Sequence, residues 1–523
     1  MRLILFYLSV FFPFLASAQD FPINWGNLEK SPGSLVEILQ KNKTDFYTLR
    51  WTGGRTFGSY RVADHENLAM IQSKRIKQVA ESGIANFETA YFFADQLYVF
   101  LSDKSNGEMT LYYQIYDSEL NPLEGSVLIA SYANNKMNAK PNFKIIQSLN
   151  REYLGIIWEI PGKKSTSDIY GYKVLNKKME VVQSGEYVLP FDGNLTTINE
   201  HHISNEGDYF LGLTEHNRPN DRFTVKSFEN FKAIHVYKIR NNELKEFSIN
   251  LEGRRVDDLI MSSNNHVFSL SGIYGSGGFS GIEGVFVIRI DSEKDSILSR
   301  GFVPFSRDIV FQNLTEKQRQ RAEERHSNRN TDPQLYNYRL RDMYTTIDGS
   351  LIGSIEQYYV YRRVSYDNRT GVSSTMYYYY YDDIIAFKIG KSGKFEWEKL
   401  IPKSQVSIND GGPFSSYSTF SNDKKMCFIF NDNIKNYSEE GEFVKTANSI
   451  YSFNLSKRKN AAAITTIDLE TGEIKRKTLF TRKEINSIVI PKLFKINQLD
   501  REVLLYAILG RKERFGILNF NEK

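Results

Sequence analysis

The stretch that decides the fold is residues 145–158, IIQSLNREYLGIIW, in which two apolar segments flank a polar turn. The turn contains Asn150, a residue type that tolerates the backbone angles of tight hairpins. A second hairpin follows, with its turn at Asn176-Lys177, so one repeat contains four short strands. The same turn pattern recurs at Asn42, Asp95, Asn205, Asn264, Asp348, Asn422 and Asn497.

The spacing of these turns predicts the architecture. The turns from Asn42 to Asn264 lie 53 to 59 residues apart, and the later ones 74 to 84 apart. Four strands with their turns need roughly 45 to 50 residues, the size of a propeller blade. We therefore expect an all-β protein with a single β-propeller of eight four-stranded blades. Seven blades are the alternative count, and a pair of β-sandwiches is the rival fold.

The last repeat is incomplete, because residues 489–519 supply only three strands. We expect a strand from residues 21–28 to complete this blade. Such pairing of the chain ends would close the ring and remove exposed strand edges.

Residues 1–18 have the three-part pattern of a secretory signal peptide. Met1-Arg2 is the positive start, residues 3–15 are almost wholly apolar, and Ala16-Ser17-Ala18 is a small-residue cleavage site. We expect export to the periplasm, the cell surface or the exterior, with residues 19–523 as one domain. A retained N-terminal anchor is the rival interpretation. No later stretch approaches 18 uncharged apolar residues, so we expect no membrane span after signal removal.

Composition excludes some function classes. The chain has 67 basic and 62 acidic residues without a long run of either sign, which gives no electrostatic case for nucleic-acid binding. Aromatic residues make up 14% of the chain, which favours strands. The single cysteine, Cys427, lies in an apolar strand, so we expect a buried, inert thiol.

Three insertions interrupt the repeat, and the third, near 433–462, is a polar segment that ends in a short basic cluster at 457–459. The first, near 306–338, has a capping box at Thr315 and Gln318 and strong helix formers from 316 to 325. The second, near 356–383, runs out through Tyr358, Tyr359 and Tyr361, turns at 367–371, and returns through five consecutive tyrosines, 377–381. This pattern predicts a long hairpin that projects beyond its blade. Its tyrosines either form cross-strand ladders or make a contact surface for protein or glycan.

No catalytic, cofactor-binding or metal-binding motif is found in the sequence. The glycine-rich segment 272–284 has neither dinucleotide-fingerprint nor Walker spacing, and it joins two strands. His201 and His202 are adjacent in a strand, so their side chains point to opposite faces and are poorly placed to share a metal ion.

The stretch from Tyr377 to Asn433 resembles a family of exported propeller proteins of Gram-negative bacteria. The matching segments are 377–385, 401–405, 409–412, 415–417 and 428–432. The resemblance covers little more than a tenth of the chain. It implies export and a propeller fold, and it carries no activity.

The functional hypothesis is an exported, non-enzymatic binding or scaffold protein of the cell envelope that contacts a protein or glycan and needs no cofactor. The alternative is a glycan- or peptide-acting hydrolase or lyase with carboxylates in the central channel. The predicted contact surface consists of Tyr358, Tyr359, Tyr361, Tyr377, Tyr379, Tyr381, Asn409, Asp410 and Tyr417.

Overall fold

The computed structural model describes residues 21–520, apart from 54–57, 81–82, 124, 135–138, 161–166, 220–226, 248, 265, 278–279, 313–315, 330–333, 347, 368, 445–449 and 498–500. The predicted signal peptide, residues 1–18, therefore lies outside the described residues, as does Thr315 of the predicted capping box.

The described residues form mainly antiparallel sheets whose consecutive strands are neighbours. The chain begins with two short strands, β1 (Ile23–Trp25) and β2 (Glu29–Lys30). Sheet 1 follows with β3 (Ser34–Gln40), β4 (Phe46–Gly53), β5 (Gly58–Glu66) and β6 (Ala69–Arg75). A small hairpin, β7 (Val79–Ala80) and β8 (Gly83–Ile84), leads to sheet 2, which consists of β9 (Asn86–Phe93), β10 (Gln96–Ser105), β11 (Glu108–Tyr116) and β12 (Val127–Ala133).

The next three sheets repeat this four-stranded order. Sheet 3 consists of β13 (Phe143–Gln147), β14 (Tyr153–Ile160), β15 (Ile169–Asn176) and β16 (Val181–Val188). Sheet 4 consists of β17 (Thr196–Ile203), β18 (Tyr209–His216), β19 (Phe231–Arg240) and β20 (Glu243–Phe247). Sheet 5 consists of β21 (Arg254–Asn264), β22 (Val267–Ser276), β23 (Gly284–Asp291) and β24 (Ser296–Pro304).

The last three sheets carry additions to the basic unit. Sheet 6 consists of β25 (Tyr338–Thr345), β26 (Leu351–Asp367), β27 (Val372–Ile389) and β28 (Phe395–Ile401), with β29 (Val406–Ile408) beside β27. Sheet 7 consists of β30 (Tyr417–Ser421), β31 (Lys425–Asn433), β32 (Asn460–Asp468) and β33 (Ile474–Thr481). Sheet 8 contains β34 (Ile488–Val489), β35 (Lys495–Asn497), β36 (Glu502–Leu509) and β37 (Lys512–Asn519), together with β1 and β2.

The core lies between the sheets. Each of six hydrophobic clusters joins one sheet to the next in the chain; Phe100 of sheet 2, for example, packs in one cluster with Ile156 of sheet 3. A seventh cluster joins sheets 7, 8 and 1 through Ile429, Leu505 and Phe46, and so connects the end of the series to its beginning. The sheets therefore form a closed ring in which each packs against two neighbours. The predicted all-β propeller is confirmed.

The N-terminal strand closes the ring, as the sequence predicts. β1 pairs antiparallel with β37, with Ile23 opposite Leu518 and Trp25 opposite Gly516. Gly516 is needed here, because a Cβ at this position would lie 2.6 Å from a ring atom of Trp25. Arg514 donates from Nε and Nη2 to the carbonyl oxygen of Gly26, over 3.0 and 2.7 Å.

The described helices are short; three lie in connections between sheets, and one lies between β18 and β19 of sheet 4. Besides α1 (Ser227–Asn230) and α4 (Arg482–Ile485), the 306–338 segment contains α2 (Arg307–Phe311) and α3 (Glu316–Arg329). Ser306 caps α2 by accepting the N–H of Ile309, whose side chain is buried in the cluster between sheets 5 and 6. Cys427 is a free, buried thiol on β31.

Candidate functional site: an aromatic ribbon on sheet 6

Two strands of sheet 6 are about twice as long as those around them. β26 has 17 residues and β27 has 18, against eight in β25 and seven in β28. β25 ends its pairing with β26 at Gln357, and β28 ends its pairing with β27 at Ile384. Beyond these positions β26 and β27 pair only with each other and with β29, so they project from the sheet. We call residues 358–381 with Val406–Ile408 the ribbon.

β29 is the third strand of the ribbon. Ile408 lies opposite Tyr378 and Val406 opposite Tyr380. Asn409 ends the pairing: its N–H donates to the carbonyl oxygen of Tyr377 over 2.9 Å, and its Oδ1 accepts the N–H of Tyr377 over 2.8 Å. Asn409 has a φ of 60°, a left-handed conformation that asparagine adopts more easily than most residues.

The register sorts the ribbon residues onto two faces. Directly opposed residues share a face, and Tyr359 opposes Tyr380 while Tyr361 opposes Tyr378. The rings of Tyr359 and Tyr380 are stacked, with centroids 4.6 Å apart and an interplanar angle of 10°. We call this side the stacked face; its aromatic and apolar residues are Tyr359, Tyr361, Met376, Tyr378, Tyr380, Val406 and Ile408, and Arg363, opposite Met376, lies on the same side.

The stacked face is open to solvent. Tyr361 is 54% exposed, Ile408 is 49% exposed and Val406 is 36% exposed. The other face of the ribbon carries Tyr358, Val360, Val364, Tyr366, Tyr377 and Tyr379, of which Val360, Val364, Tyr366 and Tyr377 are also exposed. Contiguous exposed apolar groups are unusual on a soluble surface and commonly mark an interaction site.

The predicted contact surface is divided by this geometry. Tyr359 and Tyr361 lie on the stacked face, Tyr358, Tyr377 and Tyr379 lie on the other face, and Asn409 and Asp410 are exposed in the turn after β29. The prediction missed Met376, Tyr378, Tyr380, Val406 and Ile408, which belong to the stacked face. Strand alternation would have grouped Tyr378 with Tyr380, but their partners depend on the register.

Two predicted contact residues are buried, and their assignment to an exposed surface was wrong. Tyr381 is 6% exposed because its ring packs over Gly412 and its hydroxyl donates to the carbonyl oxygen of Gly411 over 2.9 Å. Tyr417 is buried between sheets 6 and 7, and its hydroxyl is 2.8 Å from Oγ of Ser354. Both tyrosines hold the base of the ribbon.

A buried ionic network supports that base. Nζ of Lys403 lies 2.9 Å from Oε1 of Glu356, and Nη2 of Arg341 lies 2.6 Å from Oε2 of the same carboxylate. Oγ of Ser416 donates to Oε2 over 2.7 Å. Burial by itself would raise the pKa of Glu356, but the neighbouring Lys403 and Arg341 cations hold it below its usual value. The carboxylate is therefore ionised and fully occupied by protein donors.

Two aspartates anchor the connection that carries β29. Oδ1 of Asp383 accepts the N–H of Lys403 over 2.8 Å, and Oδ1 of Asp382 accepts the N–H of Gln405 over 3.3 Å. They lie where the register between β26 and β27 shifts. Burial raises the pKa of Asp382 to about 6. A register irregularity of this kind re-aims side chains, and here it directs two acceptors at the 402–416 segment.

The innermost strands carry the carboxylates relevant to the alternative hypothesis. Burial raises the pKa of Glu200 on β17 to about 7, that of Asp342 on β25 to about 6, and that of Asp258 on β21 above its usual value. Oε2 of Glu200 accepts the N–H of Met261 over 2.6 Å. Within the described part of the chain, no group of three His, Cys, Asp or Glu residues is arranged to hold a metal ion.

Comparisons with known proteins give structural likeness only. No family model and no curated protein matches the chain. The WD40 domain of SCAP from fission yeast is 10% identical, with 96% of this chain and 94% of that chain covered and a TM-score of 0.36. The β-propeller domain of the Trilobed protease from Pyrococcus furiosus is 8% identical, with 70% and 97% covered and a TM-score of 0.31. The polysaccharide lyase Uly1 is 10% identical, with 85% and 93% covered and a TM-score of 0.33.

These TM-scores are below 0.5, so no functional argument rests on them. The described residues contain no helix with the length and apolar character required to cross a membrane.

Proposed function

We propose that this chain is an exported binding protein of the cell envelope that contacts a partner protein through the stacked face of the ribbon. The proposal of export rests on the sequence pattern of residues 1–18. The proposal of binding rests on one observation: the three-stranded ribbon projects from a closed, well-packed ring and exposes Tyr361, Val406 and Ile408 on one face.

The residue types on the ribbon favour a protein partner over a glycan. Between the tyrosines lie aliphatic side chains, Val406 and Ile408 on the stacked face and Val360 on the other, and these gain free energy when a dry interface covers them. Sugar rings prefer open aromatic faces, whereas Tyr359 and Tyr380 each give one ring face to the other. Tyrosine itself is enriched among the residues that contribute most to protein interfaces.

The proposal is tested by site-specific crosslinking in producing cells. A photo-reactive benzoylphenylalanine replaces Tyr361, and in a matched control it replaces Leu298, which is similarly exposed but lies on the outermost strand of sheet 5. We expect one dominant protein adduct from position 361 and none from position 298. The purified partner should then bind Tyr361→Ser/Ile408→Ser at least about tenfold more weakly than the native chain.

Equal adducts from both positions would contradict the proposal. Binding of the purified chain to a glycan array, with no protein adduct at position 361, would instead support the glycan alternative.

A second candidate, a glycan- or peptide-acting hydrolase or lyase, is favoured by the carboxylates on consecutive innermost strands. Glu200, whose pKa is raised to about 7 by burial, is partly protonated near neutral pH and so suited to donate a proton. This candidate places the ligand at β17, β21 and β25 rather than at the ribbon. Ligand-induced protection of those strands distinguishes the two functions.

A further inference from the structure

A cleft of about 350 Å³ lies beside β29. One wall is β29 with the turn that follows it, including Asp410, and the opposite wall is formed by Phe453 and Leu455. The remaining lining residues are Ser407, Gly412, Pro413, Phe414, Ser415 and Asn454. The cleft thus shares Val406 and Ile408 with the stacked face, so the two form one continuous apolar surface.

The backbone of β29 presents unpaired groups to this cleft. Gln405 and Asn409 bond to β27, through the N–H of Tyr381 and the carbonyl oxygen of Tyr377. Alternate residues of a strand point their N–H and C=O groups to opposite sides, so those of Val406 and Ile408 point away from β27. Among the described residues they have no backbone partner. Two residues before Val406, the carbonyl oxygen of Ser404 also points away from β27, and it accepts the N–H of Phe453 over 2.9 Å. This edge can therefore form backbone hydrogen bonds.

Two buried hydroxyls in the cleft are also without a partner. Oγ of Ser415, a residue only 1% exposed, and Oγ of Ser407 make no hydrogen bond within the described structure. Both lie near Gly412, since a Cβ built there would be 3.1 Å from Oγ of Ser407 and 3.2 Å from Oγ of Ser415. Buried polar groups without a partner are uncommon, so these two hydroxyls add unused hydrogen-bonding capacity to the residues that line the cleft.

The carboxylate of Asp410 gives the cleft a charge. It accepts the N–H of Gly412 over 2.9 Å, and it interacts electrostatically with the ammonium of Lys492, which donates to the carbonyl oxygen of Gly412 over 2.9 Å. A basic side chain on the ligand would complement it.

We propose that the cleft binds an extended polypeptide segment as an added β-strand along β29. The segment pairs its main chain with Val406 and Ile408, places an apolar side chain between Phe414 and Phe453, and carries a basic residue toward Asp410. This mode of binding rests on the proposed function, because it specifies how the partner contacts the ribbon. Main-chain pairing supplies affinity in such complexes, and the side-chain pocket supplies specificity.

The other free edge of the ribbon is a poorer template. Tyr358 donates its N–H to the carbonyl oxygen of Asn337, so the even-numbered residues of β26 point their backbone groups outward. That edge carries Arg362, and charged residues protect edge strands from pairing. It provides a matched control.

The test uses a synthetic heptapeptide selected from a random library on the purified chain. In Val406→Pro the outward N–H is removed without loss of a bond to β27, and Val364→Pro makes the same change on the β26 edge. We expect Val406→Pro to weaken peptide binding, measured by fluorescence anisotropy, at least about tenfold, and Val364→Pro to change it less than about twofold. When the backbone nitrogens of the peptide are methylated one at a time, binding should be abolished at every second position only, because alternate N–H groups point toward β29.

Each other outcome is informative. Uniform tolerance of N-methylation, or a loss confined to Val364→Pro, would overturn strand addition on β29. A library that yields no binder tighter than about 1 mM would also overturn it. If neither proline variant weakens peptide binding while Tyr361→Ser/Ile408→Ser abolishes binding of the crosslinked partner, the proposal of strand addition is wrong and the proposed function is supported. If that double variant also binds normally, both fail.

Discussion

The Glu356 side chain shows how a single residue is used at the base of the ribbon. It is completely buried, and an isolated buried carboxylate would be strongly unfavourable. Lys403, Arg341 and Ser416 occupy its oxygens: Arg341 lies on β25, and Lys403 and Ser416 lie near the two ends of the 402–416 segment. The ion pair of Glu356 with Lys403 contributes more to a unique geometry than to net stability. The cost of removing both charges from water offsets much of their mutual attraction.

His65 provides a pH-dependent test of burial at the residue scale. Its ring is stacked on Phe46, with centroids 4.6 Å apart, and Nε2 lies 3.0 Å from Oγ1 of Thr48. Burial, aided by the positive charge of Arg50 and Lys41, lowers its pKa to about 3. In the unfolded chain His65 binds a proton as the pH falls through about 6.5, whereas in the folded chain it stays neutral down to about pH 3. The contribution of neutral His65 to the free energy of unfolding is therefore present above pH 6.5 and is lost as the pH falls below it.

We expect the difference in unfolding free energy between the native chain and His65→Gln to shrink by about 1.4 kcal/mol per pH unit from pH 6 to pH 4. Urea unfolding at three pH values measures it. His266→Gln, a change at an exposed histidine, serves as the control variant. A constant difference for His65→Gln would show that His65 is accessible to protons in the folded state.

The burial of individual side chains could not be predicted from the sequence. Tyr381 and Tyr417 look no different in sequence from the exposed Tyr361 and Tyr377, yet they are buried by the 402–416 segment and by sheet 7. Such burial depends on segments distant along the chain, and no local pattern records it.

At the scale of elements, the ribbon is an addition to the ring rather than part of it. None of the seven hydrophobic clusters of the described residues includes a side chain between Tyr358 and Tyr380. Its stability comes from cross-strand pairs such as Tyr359–Tyr380, each worth roughly 0.2–1 kcal/mol.

Shortening the ribbon should therefore leave the ring intact. Residues 360–379 are replaced by Asn-Gly, which joins the opposed, hydrogen-bonded pair Tyr359 and Tyr380 through a two-residue hairpin turn. We expect the free energy of unfolding to change by less than about 1 kcal/mol and near-ultraviolet circular dichroism to persist, while partner binding is lost. Loss of cooperative unfolding would mean that the ribbon belongs to the core.

The hairpin was predictable from its turn at 367–371 and its alternating tyrosines, whereas β29 was not. A three-residue strand has too few residues to show a pattern, and its position depends on Asp382 and Asp383 holding the 402–416 connection. The register shift between Glu356 and Tyr358 was also hidden, and a shift of one residue exchanges the two faces of a strand.

At the scale of the whole molecule, the closed ring makes a rigid support. The repeat was readable because every hairpin has a local turn signal, and the incomplete last unit indicated that β1 would complete sheet 8. Closure pairs β37 with β1, so the long strand β37 has no free edge. The described outer strand of each sheet still pairs on one side only; the ribbon differs in that it projects beyond its sheet, which fits a surface kept for a partner.

Hydrogen–deuterium exchange of the whole chain, with and without the crosslinked partner protein, tests the central claim most directly. We expect slowed exchange in residues 358–381 and 404–415, and unchanged exchange in β17, β21 and β25, because the partner covers the ribbon and leaves the innermost strands alone. Slowed exchange in those innermost strands with an unchanged ribbon would contradict the account and place the ligand in the channel.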